Sequence, residues 1–268
     1  MHSGGMAVNM IRGLYTSGWS MMFNNKRMDV IANNLANVNT NGFKKDSVVL
    51  ESFPEMLTKR INDSRSNLNP SGRIGAMEIS SDVGEVFTYY YQGALTKTDN
   101  NMDFSIGDSY NSFFTIATRG EDGNIREAYT RDGAFTVNAN NILVTKDGYP
   151  VMGQRGTIAI YDKNFAVEED GTILQNGEAT DRFLIRSFAD TSTLRKIGDN
   201  LIGVAADTQE QAFNGIVRQG MLEQSNVNIV KEMVDMITVM RAYESSQKML
   251  QIQDGTLEKA VNEVGSVR

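Results

Sequence analysis

No cysteine occurs among the 268 residues, which excludes a disulfide framework, thiol catalysis and zinc–thiolate sites. Histidine occurs once, as His2 in a start-like MHSGG stretch, so histidine triads and multi-histidine metal sites are excluded as well. An excess of Lys and Arg is missing: the net charge of −7 is the wrong sign for a chain that binds nucleic acid by neutralising phosphates. Long apolar runs are missing too. No stretch approaches the roughly 18 apolar residues of a membrane span, and the amino terminus lacks the h-region, about 7–15 apolar residues long, of a secretory signal. Proline is scarce, at Pro54, Pro70 and Pro150, which leaves both ends of the chain free to form long helices.

What is present is an ordinary globular composition, 40% apolar and 22% charged, in a length that suits one large domain or two modest ones. Near the amino terminus apolar residues recur every seven positions, at Leu14, Met21, Met28 and Leu35. A companion row reads Met10, Ser17, Asn24, Ile31 and Val38. Near the carboxyl terminus the series is Ile229, Met236, Tyr243, Leu250, Leu257 and Val264, with companions Met233, Met240, Gln247, Asp254 and Val261. Such a repeat at both ends predicts helices that pair as a coiled coil, or alternatively as the core of an ordinary bundle.

The middle of the chain, from about Gly72 to Gly203, reads as short strands. Phe113-Phe114-Thr115-Ile116, Ala134-Phe135-Thr136-Val137, Ile142-Leu143-Val144-Thr145 and Phe183-Leu184-Ile185 are separated by turn signals. Those signals include Asp122-Gly123-Asn124, Asn138-Ala139-Asn140-Asn141, Lys146-Asp147-Gly148 and Gln175-Asn176-Gly177. Strands so punctuated predict an antiparallel β domain. The polar run Asn62-Asp63-Ser64-Arg65-Ser66-Asn67 reads as a loop or connector. The expected fold class is α+β: a discontinuous helical coiled-coil domain (1–38 and 220–268), a connector (39–75) and a central antiparallel β-rich domain (76–212).

The acidic clusters Glu168-Glu169-Asp170-Gly171 and Glu121-Asp122-Gly123 lack EF-hand spacing and read as hairpin turns. No phosphate-binding glycine loop, GxSxG elbow or SxxK pair occurs. In Tyr89-Tyr90-Tyr91, successive rings of a strand point to opposite faces, so the triplet reads as a core-and-surface strand rather than a stacking platform. No catalytic residue, cofactor or metal is expected, and the chain is expected not to be an enzyme.

The segment Ala32-Asn33-Asn34-Leu35-Ala36-Asn37-Val38-Asn39-Thr40-Asn41-Gly42-Phe43-Lys44 closely resembles the ANNLANxxTxG(Y/F)K signature of the bacterial flagellar rod and hook proteins. Gln219-Gly220-Met221-Leu222-Glu223-Gln224-Ser225-Asn226-Val227-Asn228 is similar to the family's QGxLExSNV run before its last helix. Glu232-Met233 and Arg241-Ala242-Tyr243-Glu244 match its EM and RAYE positions. In the middle, Gln92-Gly93-Ala94-Leu95, Tyr129-Thr130-Arg131-Asp132-Gly133-Ala134-Phe135 and Asp147-Gly148-Tyr149-Pro150-Val151-Met152-Gly153 are also family-like and in order. Met240 stands where glutamine is common, and Met1–Asn9 precedes the usual start, which places the native start among Met1, Met6 and Met10.

The resemblance implies a structural rod subunit with an inserted middle domain, of proximal- or distal-rod type. It would leave through the flagellar type III export apparatus without a cleaved signal and lie in the basal body, outside the cytoplasmic membrane. There it would assemble with itself and with neighbouring rod and hook subunits into a helical tube, helices inside and β domain outside. That tube would transmit torque from motor to hook and leave an export channel. No nucleic acid and no membrane insertion are expected. The rival reading from another class is a secreted β-rich glycan-binding module or hydrolase. The expected assembly interface is Leu14, Met21, Met28, Asn33, Asn34, Leu35, Asn37, Thr40 and Gly42 near the amino end. At the carboxyl end it comprises Ile229, Met236, Tyr243, Leu250 and Leu257. Gly42 is expected to end the first helix with positive φ, and Ser225 or Asn226 to cap the last.

Overall fold

A computed structural model describes residues 3–52, 56–59, 73–77, 81–119, 125–162, 165–205, 208–259 and 261–262. His2, Pro54, the polar run 62–67, Pro70, the turn 122–124, Val264 and the side chain of Met10 lie outside the described residues. The architecture is α+β, with a helix at each end of the chain and antiparallel strand pairs between them. The chain divides into two compact units. Met1–Asn33, Asp46–Phe87 and Val230–Arg268 form one; Asn34–Lys45 and Thr88–Ile229 form the other.

In the first unit, α1 (Ser3–Ala36) and α2 (Ile229–Lys259) both run without proline. Ser20 and Ser246 hydrogen-bond through their hydroxyls at 3.0 Å, and a Cβ on Gly13 would overlap Nε2 of Gln253. Moving seven residues back along α1 moves seven forward along α2, so the helices are antiparallel and close. Polar side chains occupy much of their buried seam. On α1 the buried row is Ser17, Asn24 and Ile31, while Leu14, Met21, Met28 and Leu35 are half-buried beside it. On α2 the buried row is Glu232 and Val239, continued by half-buried Ser246 and Gln253. Met236, Tyr243, Leu250 and Leu257 flank it half-buried, whereas Ile229 is exposed.

The companion row expected on α2 is therefore displaced by one residue. Met233, Met240, Gln247 and Asp254 are exposed, and the row before them faces inward. The physical reason is the hydroxyl pair Ser20–Ser246: small polar side chains bring the helices close, where methionine would hold them apart. Asp46–Ser52 pairs with Ser81–Thr88, and Met56–Lys59 pairs antiparallel with Arg73–Met77. Residues 39–75, expected as a connector, thus contain ladder-paired strands.

The second unit is built on a six-stranded sheet. Its order is Leu194–Gly198, Leu201–Val204, Ile125–Thr130, Ser112–Arg119, Ile185–Phe188 and Glu210–Gln211. Alternation along Ser112–Arg119 supplies two cores. Phe114 joins Phe104, Phe135 and Phe183 on one face, and Phe113 joins Tyr90, Tyr129 and Phe188 on the other. Tyr90 packs edge-on to Phe113 at 5.7 Å, while Tyr89 and Tyr91 stack on each other at 5.9 Å. The tyrosine triplet alternates as expected, although the strand itself ends at Thr88.

The β unit does not close at residue 212. Ile216–Gln219 pairs with Phe104–Gly107, placing Val217 in the core, and Met221–Glu223 pairs with Leu95–Lys97. Residues 220–228, expected in the helical domain, belong here instead. The unit also claims Asn34–Lys45.

Candidate assembly site: a buried ionic junction

Within the β unit, the segment after α1 lies against the segment before α2. α1 ends at Ala36, and the next turn is tied by its own signature residues. The Thr40 hydroxyl donates to Oδ1 of Asn37 at 3.1 Å, and the Thr40 amide donates to the Asn37 carbonyl at 3.1 Å. Gly42 then takes the expected positive φ, +66°, but it stands six residues past the end of α1 rather than ending the helix, and its amide donates to the Glu223 carbonyl at 2.7 Å. Conformation alone does not explain the glycine. A Cβ there would stand 2.5 Å from the carbonyl carbon of Arg131.

Phe43 and Lys44 follow, both buried. The Lys44 ammonium donates to Oε1 of Glu223 at 2.5 Å and to the Tyr91 carbonyl at 2.7 Å. Oε1 of Glu223 also accepts the Gly93 amide at 2.9 Å, and its Oε2 accepts Nε of Arg131 at 2.6 Å. The remaining Arg131 donors go to the carbonyls of Ile106, Ser109 and Ser112. All three ionised side chains are at most 2% exposed, so this is a fully desolvated triad with both carboxylate oxygens occupied.

Two cations share one anion, and the protonation equilibria reflect it. Burial lowers the Lys44 pKa to about 8, with Glu223 opposing that shift and Arg131 adding to it. For Glu223, burial alone would raise the pKa. Arg131 and Lys44 outweigh it and hold the carboxyl below its ordinary range. The group is a structural clamp: its polar atoms face one another and the backbone, with no open position for a reacting atom. Among the described residues no cluster of three His, Cys, Asp or Glu could hold a metal, and no described helix is long and apolar enough to cross a membrane.

A second set of bonds stitches the same two segments. Oδ1 of Asn226 accepts the Lys45 amide at 2.8 Å, and its Nδ2 donates to the carbonyls of Tyr89 and Tyr91. Lys196 donates to the Lys44 carbonyl at 2.5 Å and lies 4.0 Å from the Phe43 ring centre. Asn226 is therefore a bridge and not the cap of α2. That helix starts at Ile229, and the Ser225 hydroxyl accepts the Val227 amide instead.

Of the residues expected to act together, Asn37, Thr40 and Gly42 meet in one turn, with Asn34 buried before it and Asn33 exposed. Leu14 and Leu250 line one apolar groove. Sequence reasoning missed the triad. Lys44, Arg131 and Glu223 each stand in a quoted motif, but Lys44 is followed by Lys45 and Asp46 and Arg131 by Asp132, so no local charge pattern singles the three out.

The triad also spans what the chain shares with known proteins. Residues 14–44 match the flagella basal body rod protein family, and residues 110–175 match the D1 domain of the flagellar hook protein FlgE/F/G. Residues 218–263 match the C-terminal part of the flagellar basal body rod FlgEFG proteins, so each match contains one triad member. The chain is 31% identical to the flagellar hook-basal body complex protein FlhO of Bacillus subtilis, over 96% of this chain and 100% of that protein. It is 34% identical to the flagellar basal-body rod protein FlgG of Bacillus subtilis, over 94% and 99% respectively. It is 32% identical to the flagellar basal-body rod protein FlgF of Caulobacter vibrioides, over 96% and 100%. With three family segments meeting at one buried carboxylate and relatives matched along their whole length, the chain belongs to the flagellar basal-body rod and hook proteins.

Proposed function

We propose that α1 and α2 are the surfaces through which this structural rod subunit polymerises, with copies of itself and with neighbouring rod and hook subunits, into a helical tube. The tube transmits torque from motor to hook and leaves a channel for exported subunits. The subunit itself reaches its place outside the cytoplasmic membrane through the flagellar type III export apparatus. Its action is mechanical, with no catalytic step. The expected interface residues on the two helices, Leu14, Met21, Met28 and Leu35 with Met236, Tyr243, Leu250 and Leu257, act in this reading as the seam that neighbours complete.

One observation carries the proposal. Val230, Met233, Val234, Ile237 and Met240 form an apolar stripe on α2 in which Val230 is 70% exposed and Ile237 is 52% exposed. Val230 and Ile237 each lie two residues before a buried-row residue, about 200° around the helix from it. A helix apolar on the face turned away from its partner is built to be covered twice. The junction contributes stiffness: the chain leaving α1 and the chain entering α2 are held by a desolvated ionic clamp rather than a loose loop. Electron microscopy of the concentrated full chain tests the reading. Helical polymers are expected, and a chain that stays monomeric at every concentration would overturn it.

A further inference from the structure

The helical unit carries an apolar groove of about 610 Å³, lined by Leu14, Tyr15, Gly18, Trp19, Met22 and Leu250. Residues 13–25 of α1, which supply its wall, contain no charge. Gly18 lies in the interior of α1, where glycine weakens a helix relative to any other ordinary residue except proline. Among the described residues nothing requires it, since a Cβ at Gly18 would meet none of their atoms within 4 Å. A helix-weakening residue with open space above it marks a place where something from outside comes close.

We propose that the groove receives the α2 stripe Val230–Met240 of a second copy of this chain. The inference rests on the rod reading above and names its contact. The chain itself supplies the matching surface: a helical face of five exposed apolar side chains, of the kind that lays into grooves at i, i+3, i+4 and i+7 spacing. Charge agrees. α1 carries Arg12, Lys26 and Arg27 against Asp29 alone, whereas α2 carries five acids against four bases, so the approach of α2 of one copy to α1 of another meets no net repulsion.

Groove and stripe cannot meet within one chain. Leu250 marks the groove and Ile237 the stripe, and thirteen residues of one straight helix hold them about 20 Å apart. The contact therefore joins two copies, and when the groove of each takes the stripe of the next in one sense, repetition gives an open polymer.

The absence of cysteine makes the test clean. One full-length chain carries Met22→Cys and another Ile237→Cys, both at exposed positions where the substitution leaves the fold intact. The two are mixed, concentrated until polymers form, and oxidised. A mixed disulfide dimer is expected to predominate over either homodimer, and adding Gly18→Leu to the Met22→Cys chain is expected to abolish it. Polymers without the mixed dimer, or with Met22→Cys homodimers as abundant, would overturn this contact and leave the rod reading standing. A chain that neither polymerises nor cross-links would overturn both.

Discussion

The Lys44 ammonium reaches the Glu223 carboxylate at 2.5 Å across 179 positions of sequence. On the same carboxylate, Arg131 occupies the second oxygen at 2.6 Å. The stretch of chain leaving α1 is thereby fixed to the stretch leading into α2 and to the sheet between them. The backbone pair from Gly42 to Glu223 and the Asn226 bridge repeat that tie without charge.

Removing the anion should hurt most. Glu223→Gln leaves two buried cations with one neutral partner, a class of change that costs about 3–5 kcal/mol. Lys44→Met should cost less, because Glu223 keeps Arg131 and the Gly93 amide. Urea unfolding of the full chain followed by near-ultraviolet circular dichroism checks the order. Equal midpoints for wild type and Glu223→Gln would contradict the clamp.

The triad should imprint itself on stability at both ends of the pH scale. Glu223 has a folded pKa below 4.5, so its contribution is complete above that value and is lost as pH falls through the folded one. Lys44 has a folded pKa of about 8 against an ordinary 10.5. Between those values the unfolded chain binds more protons, so this group makes stability rise with pH from about 8. Unfolding midpoints across pH should show Glu223→Gln losing the acid-side fall and Lys44→Met losing the alkaline rise. An alkaline slope unchanged in Lys44→Met would count against the assignment.

Gly42→Val should combine two faults. A β-branched residue at φ +66° costs on the order of 1–3 kcal/mol, and its Cβ would also overlap the Arg131 backbone. The thermal midpoint of the β unit is expected to fall while far-ultraviolet helix content holds. A Gly42→Val chain as stable as wild type would remove the close contact from the account.

The two helices and the β character of the middle were legible because each has its own period. Seven-residue spacing marked α1 and α2, and paired apolar residues between turn signals marked the strands. The helix faces were less so: hydrophobicity alone selects Met233 and Met240, while the inward row contains Glu232, Ser246 and Gln253 because close approach favours small and hydrogen-bonding groups. The domain limits were misread for a related reason. Met221–Glu223 finds its partner at Leu95–Lys97, and no local pattern reports a pairing over such a separation. Lys44, Arg131 and Glu223 lie in three separate motifs, and only the folded chain brings them together.

Those limits change what an excised β unit must contain. Residues 76–212 alone lack the strand that covers Phe104–Gly107, the buried Val217 and the Glu223 anion, and should be poorly folded. Residues 88–229 with 34–45 joined by a flexible linker should give a cooperative monomer. Heat-capacity scans of the two fragments distinguish them. A sharp transition for 76–212 would mean that the last strands and the junction are dispensable.

The central claim is that the outward stripe of α2 is an assembly surface on a folded structural subunit, and basal bodies isolated from cells expressing this chain or its Ile237→Asp form test it most directly. Ile237 is half-exposed in the single chain, so aspartate should leave the monomer's circular dichroism and midpoint unchanged, but it places an unpaired charge in any subunit contact. The account predicts wild-type chain in the rod and the variant folded, soluble and missing from it. Incorporation and motility of Ile237→Asp at wild-type levels would contradict it.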